Sequence, residues 1–215
     1  MTSPSALPPT PGQMTDYYSA IGPLVQMAWC DNFHFGYWDG PGDKSTIEQA
    51  TDRFTDLLTE RLRVGPGDRV LDVGCGIGKP ALRIAAATGA SVLGITISQE
   101  QVEQANARAL AEQRTGQVSF EFGDAMDMPF ESGAFDAVLA FESIHHMDRS
   151  VALREIERVL SPGGRIVLTD VTPLTQELPD QADDPNLVST LFQFDDWPGL
   201  VADAGLVLDE LTDVT

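Results

Sequence analysis

Residues 69–80 read Arg69-Val70-Leu71-Asp72-Val73-Gly74-Cys75-Gly76-Ile77-Gly78-Lys79-Pro80. A short apolar run gives way to three alternate glycines, and an apolar helical pattern then resumes from Pro80 to Ala87. The segment predicts strand, glycine turn and helix. That order sets the turn at the carboxyl end of a strand, where an open α/β sheet takes its ligand. Glycines there let the backbone approach a ligand closely and adopt positive φ. The spacing is GxGxG rather than the GxGxxG of dinucleotide folds, and Lys79 is followed by Pro80 rather than by the Ser or Thr of a phosphate loop. Asp72 stands directly before the turn, and a carboxylate at that point favours a ligand ammonium group over a pyrophosphate.

The pattern repeats downstream. Strand Ser91 to Ile95 leads to helix Gln99 to Glu112, strand Val118 to Phe122 follows, strand Ala137 to Phe141 precedes helix Val151 to Leu160, and strand Arg165 to Asp170 comes next. A helix from Asp195 to Ala204 and a last strand from Leu206 to Leu211 complete the series. Strands alternating with helices predict an α/β fold, a Rossmann-like, doubly wound and mostly parallel sheet. Upstream, Ser45 to Leu62 reads as a helix with Ser45 as N-cap before Glu48. Tyr17, Tyr18, Trp29, Phe33, Phe35, Tyr37 and Trp38 crowd the stretch before it and suggest a cover. The expected organisation is a disordered Pro-rich tail over 1–12, an N-terminal helical and aromatic cover over 13–62, and a ligand-binding Rossmann-like domain over 63–215. Residues 171–194, with Pro173, Pro179 and Pro185, form an insertion over the sheet edge.

Bulk composition narrows the function classes. A chain of 215 residues with 42% hydrophobic content suits one well-buried core. No apolar run reaches the roughly 20 residues of a membrane helix, and the N-terminus lacks the order of a signal peptide, so the expected compartment is the cytoplasm. Net charge is −20, which repels phosphate backbones and anionic headgroups, so neither nucleic acid nor membrane is expected as a partner. Cys30 and Cys75 belong to no metal-ligand cluster, and no metal is expected.

Beyond these local readings, residues from about Asp31 to Leu211 resemble the class I S-adenosylmethionine-dependent methyltransferases, in particular the small-molecule branch of antibiotic biosynthesis to which the rebeccamycin sugar O-methyltransferase belongs. The resemblance also extends to sterol-methyltransferase-like members. It rests on Asp31 to Trp38 (DNFHFGYW), Arg69 to Pro80, Gly94 to Ser98, Asp124-Ala125-Met126, Glu142 to Met147 (ESIHHM) and Leu153 to Gly164. It implies S-adenosyl-L-methionine as cofactor, with Gly74, Cys75, Gly76 and Gly78 around its methionine portion and Asp72 in support. Ile97, Ser98 and Gln101 then lie by the ribose and adenine, although Thr96-Ile97-Ser98 replaces the family's usual acidic residue. Asp124 takes the adenine amino group with Ala125 and Met126 beside the ring, Phe141 lines the pocket, and Tyr18 closes over it. Family members continue past the sixth strand into a final antiparallel strand, which is missing before Thr215. The expected consequence is an unpaired strand edge, met by association as a homodimer, by borrowing a strand, or by the chain being a fragment of a longer one.

His145 and His146 fall just beyond the fourth strand and Asp170 closes the fifth, so neighbouring strands about 5 Å apart bring the three to one sheet edge. A histidine beside a carboxylate is suited to removing a hydroxyl proton near neutral pH. The expected reaction is methylation of a hydroxyl on a small natural product or sugar moiety, with His145 or His146 as base and Asp170 assisting. His34 is assigned a structural place in the aromatic cover. Two alternatives stand beside this reading: a cyclase or lyase that retains the cofactor without transferring its methyl group, and a non-catalytic partner subunit.

Overall fold

The computed structural model describes Gly12, Ala20, Asp31, Asn32, residues 34–172 and residues 192–214. The rest of the Pro-rich tail, most of the aromatic stretch before Asp31 and the bulk of the insertion lie outside the described residues.

The first described helix, α1, spans Ile47–Leu62. Its N-cap is Thr46, one residue later than the sequence suggested. The Gln49 N–H donates to Thr46 Oγ1 at 3.2 Å, and the Thr46 N–H donates back to Gln49 Oε1 at 2.9 Å. Ser45 does not cap because Asp43 holds it: the Ser45 hydroxyl donates to Asp43 Oδ1 at 2.6 Å. The helix then stops at Arg63, whose backbone is left-handed at φ 53°.

Alternation of strand and helix follows: β1 Arg69–Val73, α2 Lys79–Thr88, β2 Ser91–Thr96, α3 Gln99–Ala111, β3 Val118–Phe122, β4 Phe135–Phe141, α4 Arg149–Val159 and β5 Leu160–Thr169. The sheet order is β3-β2-β1-β4-β5 with every pairing parallel. The chain runs outward from β1 to β3 and then restarts at β4 on the other side of β1. This reversal opens a crevice at the carboxyl ends of β1 and β4.

Period-two alternation divides the core. Val70, Ala137, Leu139 and Phe141 face Phe54, Leu58 and Leu62 of α1 and the apolar sides of α2 and α3. Leu71, Val73, Val138 and Ala140 face Ile156 and Val159 of α4. Helix α1 is thus part of the main core layer, with Tyr37 packed against the same cluster. A short helix, α5 Trp197–Asp203, packs through Trp197 and Val201 on Ile144 and Leu153.

The expected strand at Leu206 to Leu211 is not formed. Residues 206–214 run as irregular chain, and Val207 is 87% exposed. A short apolar run becomes a strand only when a neighbour completes its ladder, and here side-chain ion pairs hold the segment instead, Arg165 to Asp209 at 2.8 Å and Arg61 to Glu210 at 3.1 Å. Among the described residues the sheet therefore has five strands and ends at β5. No described helix is long and apolar enough to cross a membrane.

Candidate active site

One cavity opens at the carboxyl edge of the sheet, lined by the glycine turn after β1, the loops after β2 and β3, and the exit of β4. Its floor is the glycine turn. Gly74, Gly76 and Gly78 have φ of +73°, +53° and +83°. The N–H groups of Gly74 and Cys75 both donate to the Ile95 carbonyl, at 2.9 and 3.0 Å, tying the turn to β2. Towards β4 the fit is just as close. A Cβ at Gly74 would lie 2.4 Å from that of Ser143, whose hydroxyl donates to the Val73 carbonyl at 2.6 Å. Gly78 is the exception, for it does not line the cavity. It begins α2 in a left-handed conformation and lets the Phe120 ring sit where a Cβ would be, 2.4 Å away.

Asp72 shares the sheet face of Val70 and Leu139 and is 2% exposed. Its Oδ2 has no hydrogen-bond partner among the described residues. Burial pushes the carboxyl up from 3.8 to about 7. A buried acceptor without a donor is costly unless a ligand supplies one. The cavity wall thus combines a glycine cradle, which excludes side chains, with an unsatisfied carboxylate, which calls for a cation.

On the other side, the Thr96 hydroxyl donates to Gln101 Oε1 at 2.7 Å, while the Gln101 N–H donates to Ser98 Oγ at 3.3 Å as the N-cap of α3. Ile97, Ser98 and Gln101 all line the cavity, as do Asp124, Ala125 and Met126. Asp124 Oδ1 accepts the Met126 N–H at 2.9 Å, which shapes the turn that carries all three. Cys75 and Phe141 complete the set that the structure brings together. Tyr18 lies outside the described residues.

His145, His146 and Asp170 are contiguous, but only His146 lines the cavity. Its ring lies 4.0 Å from that of His145, centre to centre. His145 Nδ1 is 3.6 Å from Asp170 Oδ1, beyond hydrogen-bond range. Asp170 is instead gripped by Arg149, with Nε–Oδ2 at 2.9 Å and Nη2–Oδ1 at 3.1 Å, both side chains buried. The Arg149 guanidinium also sits over the Phe192 ring at 5.3 Å. Asp170 is therefore first of all the counter-ion of a buried arginine, a role hidden from the sequence because Arg149 stands at the start of a helix.

Glu142 and His34 are among the cavity residues to which the sequence assigned no catalytic or cofactor role. Glu142, directly after β4, has a left-handed backbone at φ 48° and both carboxylate oxygens accept the Phe35 N–H, at 3.1 and 3.0 Å. Burial raises its pKa to about 7 against the opposing effect of that N–H, and Asp170 raises it further. His34 stacks on Phe141 with ring centres 3.8 Å apart and is 5% exposed. The signal for both lies in two sequence motifs, since Glu142 opens ESIHHM and His34 is central to DNFHFGYW.

A doubly wound parallel sheet with an alternate-glycine turn and a ligand cavity at its switch point defines a nucleoside-cofactor-binding α/β protein. Residues 71–168 match the model of the methyltransferase domain family. The chain is 40% identical to the 27-O-demethylrifamycin SV methyltransferase of Amycolatopsis mediterranei (strain S699), over 96% of this chain and 78% of that protein. Among solved structures, the [4+2]-cyclase SpnF superposes with a TM-score of 0.84 at 36% identity, covering 93% of this chain and 75% of that one. A geranyl diphosphate methyltransferase in complex with S-adenosylmethionine superposes with a TM-score of 0.76 at 25% identity, covering 85% and 82%.

The chain belongs to the class I S-adenosylmethionine-dependent methyltransferases, in the branch that serves natural-product biosynthesis. Its cofactor is S-adenosyl-L-methionine, and the glycine cradle with the unsatisfied Asp72 fits that molecule's amino-acid end.

Proposed function

We propose that the protein methylates a hydroxyl of a small natural product, with His146 as the proton acceptor. The observation that carries this reading is the position of His146, which lines the cavity at the exit of β4 with His145 packed behind it. The naming of an O-demethylated substrate in the 40% identical relative supports a hydroxyl as the acceptor group. A sugar hydroxyl belongs to the same class.

When bound, S-adenosyl-L-methionine supplies an electrophilic methyl group. Gly74, Gly76 and Cys75 hold its methionine portion beside Asp72, while Ile97, Ser98 and Gln101 take the ribose and Asp124, Ala125 and Met126 the adenine. The acceptor hydroxyl loses its proton to the His146 ring, a transfer worth roughly 10²- to 10⁴-fold in rate for a positioned base. His145 fixes the orientation of that ring. The buried Arg149–Asp170 pair lies on the far side of His145, with Asp170 Oδ1 3.6 Å from its Nδ1. The fold serves mainly to orient the reactants and to keep water out.

A second reading has a specific observation behind it: a protein 36% identical over 93% of this chain is a [4+2]-cyclase. On that reading the cofactor stays intact. Incubation with S-adenosylmethionine and a panel of hydroxylated natural products decides between the two. Methylation yields S-adenosylhomocysteine in proportion to methylated product, whereas cyclisation yields an isomer of the substrate and no S-adenosylhomocysteine.

A further inference from the structure

His34 has a use that neither the aromatic cover nor the proton transfer accounts for. Its Nδ1 lies 2.8 Å from the Phe35 carbonyl oxygen. A carbonyl only accepts, so Nδ1 carries the proton in that contact. Burial holds the ring's pKa down at about 4, against the opposing pull of the Phe35 carbonyl, so the imidazole is neutral at physiological pH. In the neutral ring with Nδ1 protonated, Nε2 is a lone-pair acceptor and nothing else. That atom is buried and has no hydrogen-bond partner among the described residues.

The tautomer is fixed by a well-anchored segment. The Tyr37 N–H donates to the Ala50 carbonyl at 3.0 Å, Asn32 Nδ2 donates to Thr51 Oγ1 at 2.6 Å, and Glu142 takes the Phe35 N–H. Asn32 and Phe35, on either side of His34 in this strap, are thus tied down, and the stacked Phe141 sets the plane of its ring.

The location narrows the ligand. Phe141 and Asp72 are on one face of adjacent parallel strands, with Asp72 level with Leu139 and Phe141 two residues further on, about 7 Å along the strand. Two buried acceptors without donors, Asp72 Oδ2 and His34 Nε2, therefore belong to the same end of one cavity, beside the glycine turn. At that end the cofactor has a single group with N–H donors, the α-ammonium of its methionine portion. The carboxylate and the sulfur have none.

We infer that His34 is a cofactor-binding residue whose neutral imidazole accepts a hydrogen bond at Nε2 from the α-ammonium of S-adenosylmethionine, beside Asp72. This assignment rests on the cofactor orientation proposed above. It makes His34 a reader of the amino-acid end, selecting ligands that carry the ammonium over those that lack it.

Calorimetric titration with two probes tests it without turnover. One is S-adenosylhomocysteine, and the other is 5′-S-(3-carboxypropyl)-5′-thioadenosine, identical except that the α-amino group is absent. His34→Phe keeps a flat ring on Phe141 and removes the acceptor. It is expected to weaken S-adenosylhomocysteine about 10- to 100-fold, the range for a hydrogen bond to a charged group, and to leave the deaminated probe within twofold of wild type. Equal weakening of both probes, or none for S-adenosylhomocysteine, overturns the assignment. A raised KM for the acceptor with unchanged cofactor affinity also overturns it, by moving the donor to the acceptor. Should His34→Phe fail to fold, the same pair of affinities is read in His34→Leu. Asp124→Ala checks the orientation separately: it should weaken both probes alike, and no effect on either sinks the orientation whatever His34 does.

Discussion

Asp72→Asn is expected to make the ligand-free protein more stable at alkaline pH while impairing its capture of cofactor. The carboxyl is buried, one oxygen lacks a partner, and burial alone moves its pKa from 3.8 to about 7. The folded state therefore holds on to a proton that the unfolded chain has already lost, so stability falls as pH rises between those two values. Above pH 7 the full penalty applies, about 4 kcal/mol at 1.36 kcal/mol per pH unit; at pH 5 it is only about 1.5 kcal/mol. Asparagine keeps the shape and carries no charge. Urea unfolding of the ligand-free protein should thus show Asp72→Asn ahead of wild type by about 4 kcal/mol at pH 8 and by about 1.5 kcal/mol at pH 5. Added S-adenosylhomocysteine should close the gap at pH 8, because its ammonium compensates the wild-type carboxylate. A variant no more stable than wild type at pH 8, or a gain independent of pH, would refute the reasoning.

Further expectations follow from the same geometry. His146→Ala should cut kcat by at least about 100-fold and leave the S-adenosylhomocysteine Kd within twofold, whereas His145→Ala, set behind it, should cost less; steady-state kinetics with calorimetry reads both. Asp170→Ala strands the buried Arg149 and should cost about 3–5 kcal/mol of stability by denaturant unfolding, so its loss of activity will report folding as well as chemistry. Gly78→Ala forces a side chain onto φ +83° and into the Phe120 ring; the backbone strain alone is about 1–3 kcal/mol, which should lower the thermal midpoint by several degrees.

The sheet and its helices were legible because their signals are local. The apolar runs of β1 to β3, the turn after Gly65 and the glycine triplet each declare themselves within a few residues, and the boundaries differ from expectation by a few positions at most for most elements. Residues 206–211 misled because a short apolar run is only a licence for a strand; the partner that would complete the ladder is a property of the whole chain. The same distinction divides the site. Asp72, Gly74, Ser98, Gln101 and Asp124 sit at the ends of strands or starts of helices, so chain order fixes their place. His34 arrives from more than 100 residues before Phe141, and Asp170 is claimed by an arginine 21 positions away. Neither pairing has a spacing that a linear reading detects. Glu142 opens the ESIHHM motif, but its left-handed backbone and its grip on the Phe35 amide appear only in three dimensions.

The most direct test of the central claim follows the methyl group itself. Purified protein incubated with methyl-labelled S-adenosylmethionine and hydroxylated natural products should form S-adenosylhomocysteine and an O-methylated product carrying the label in equal amounts. Substrate consumed to an unlabelled isomer with the cofactor intact, or label found on carbon or nitrogen, would contradict the account.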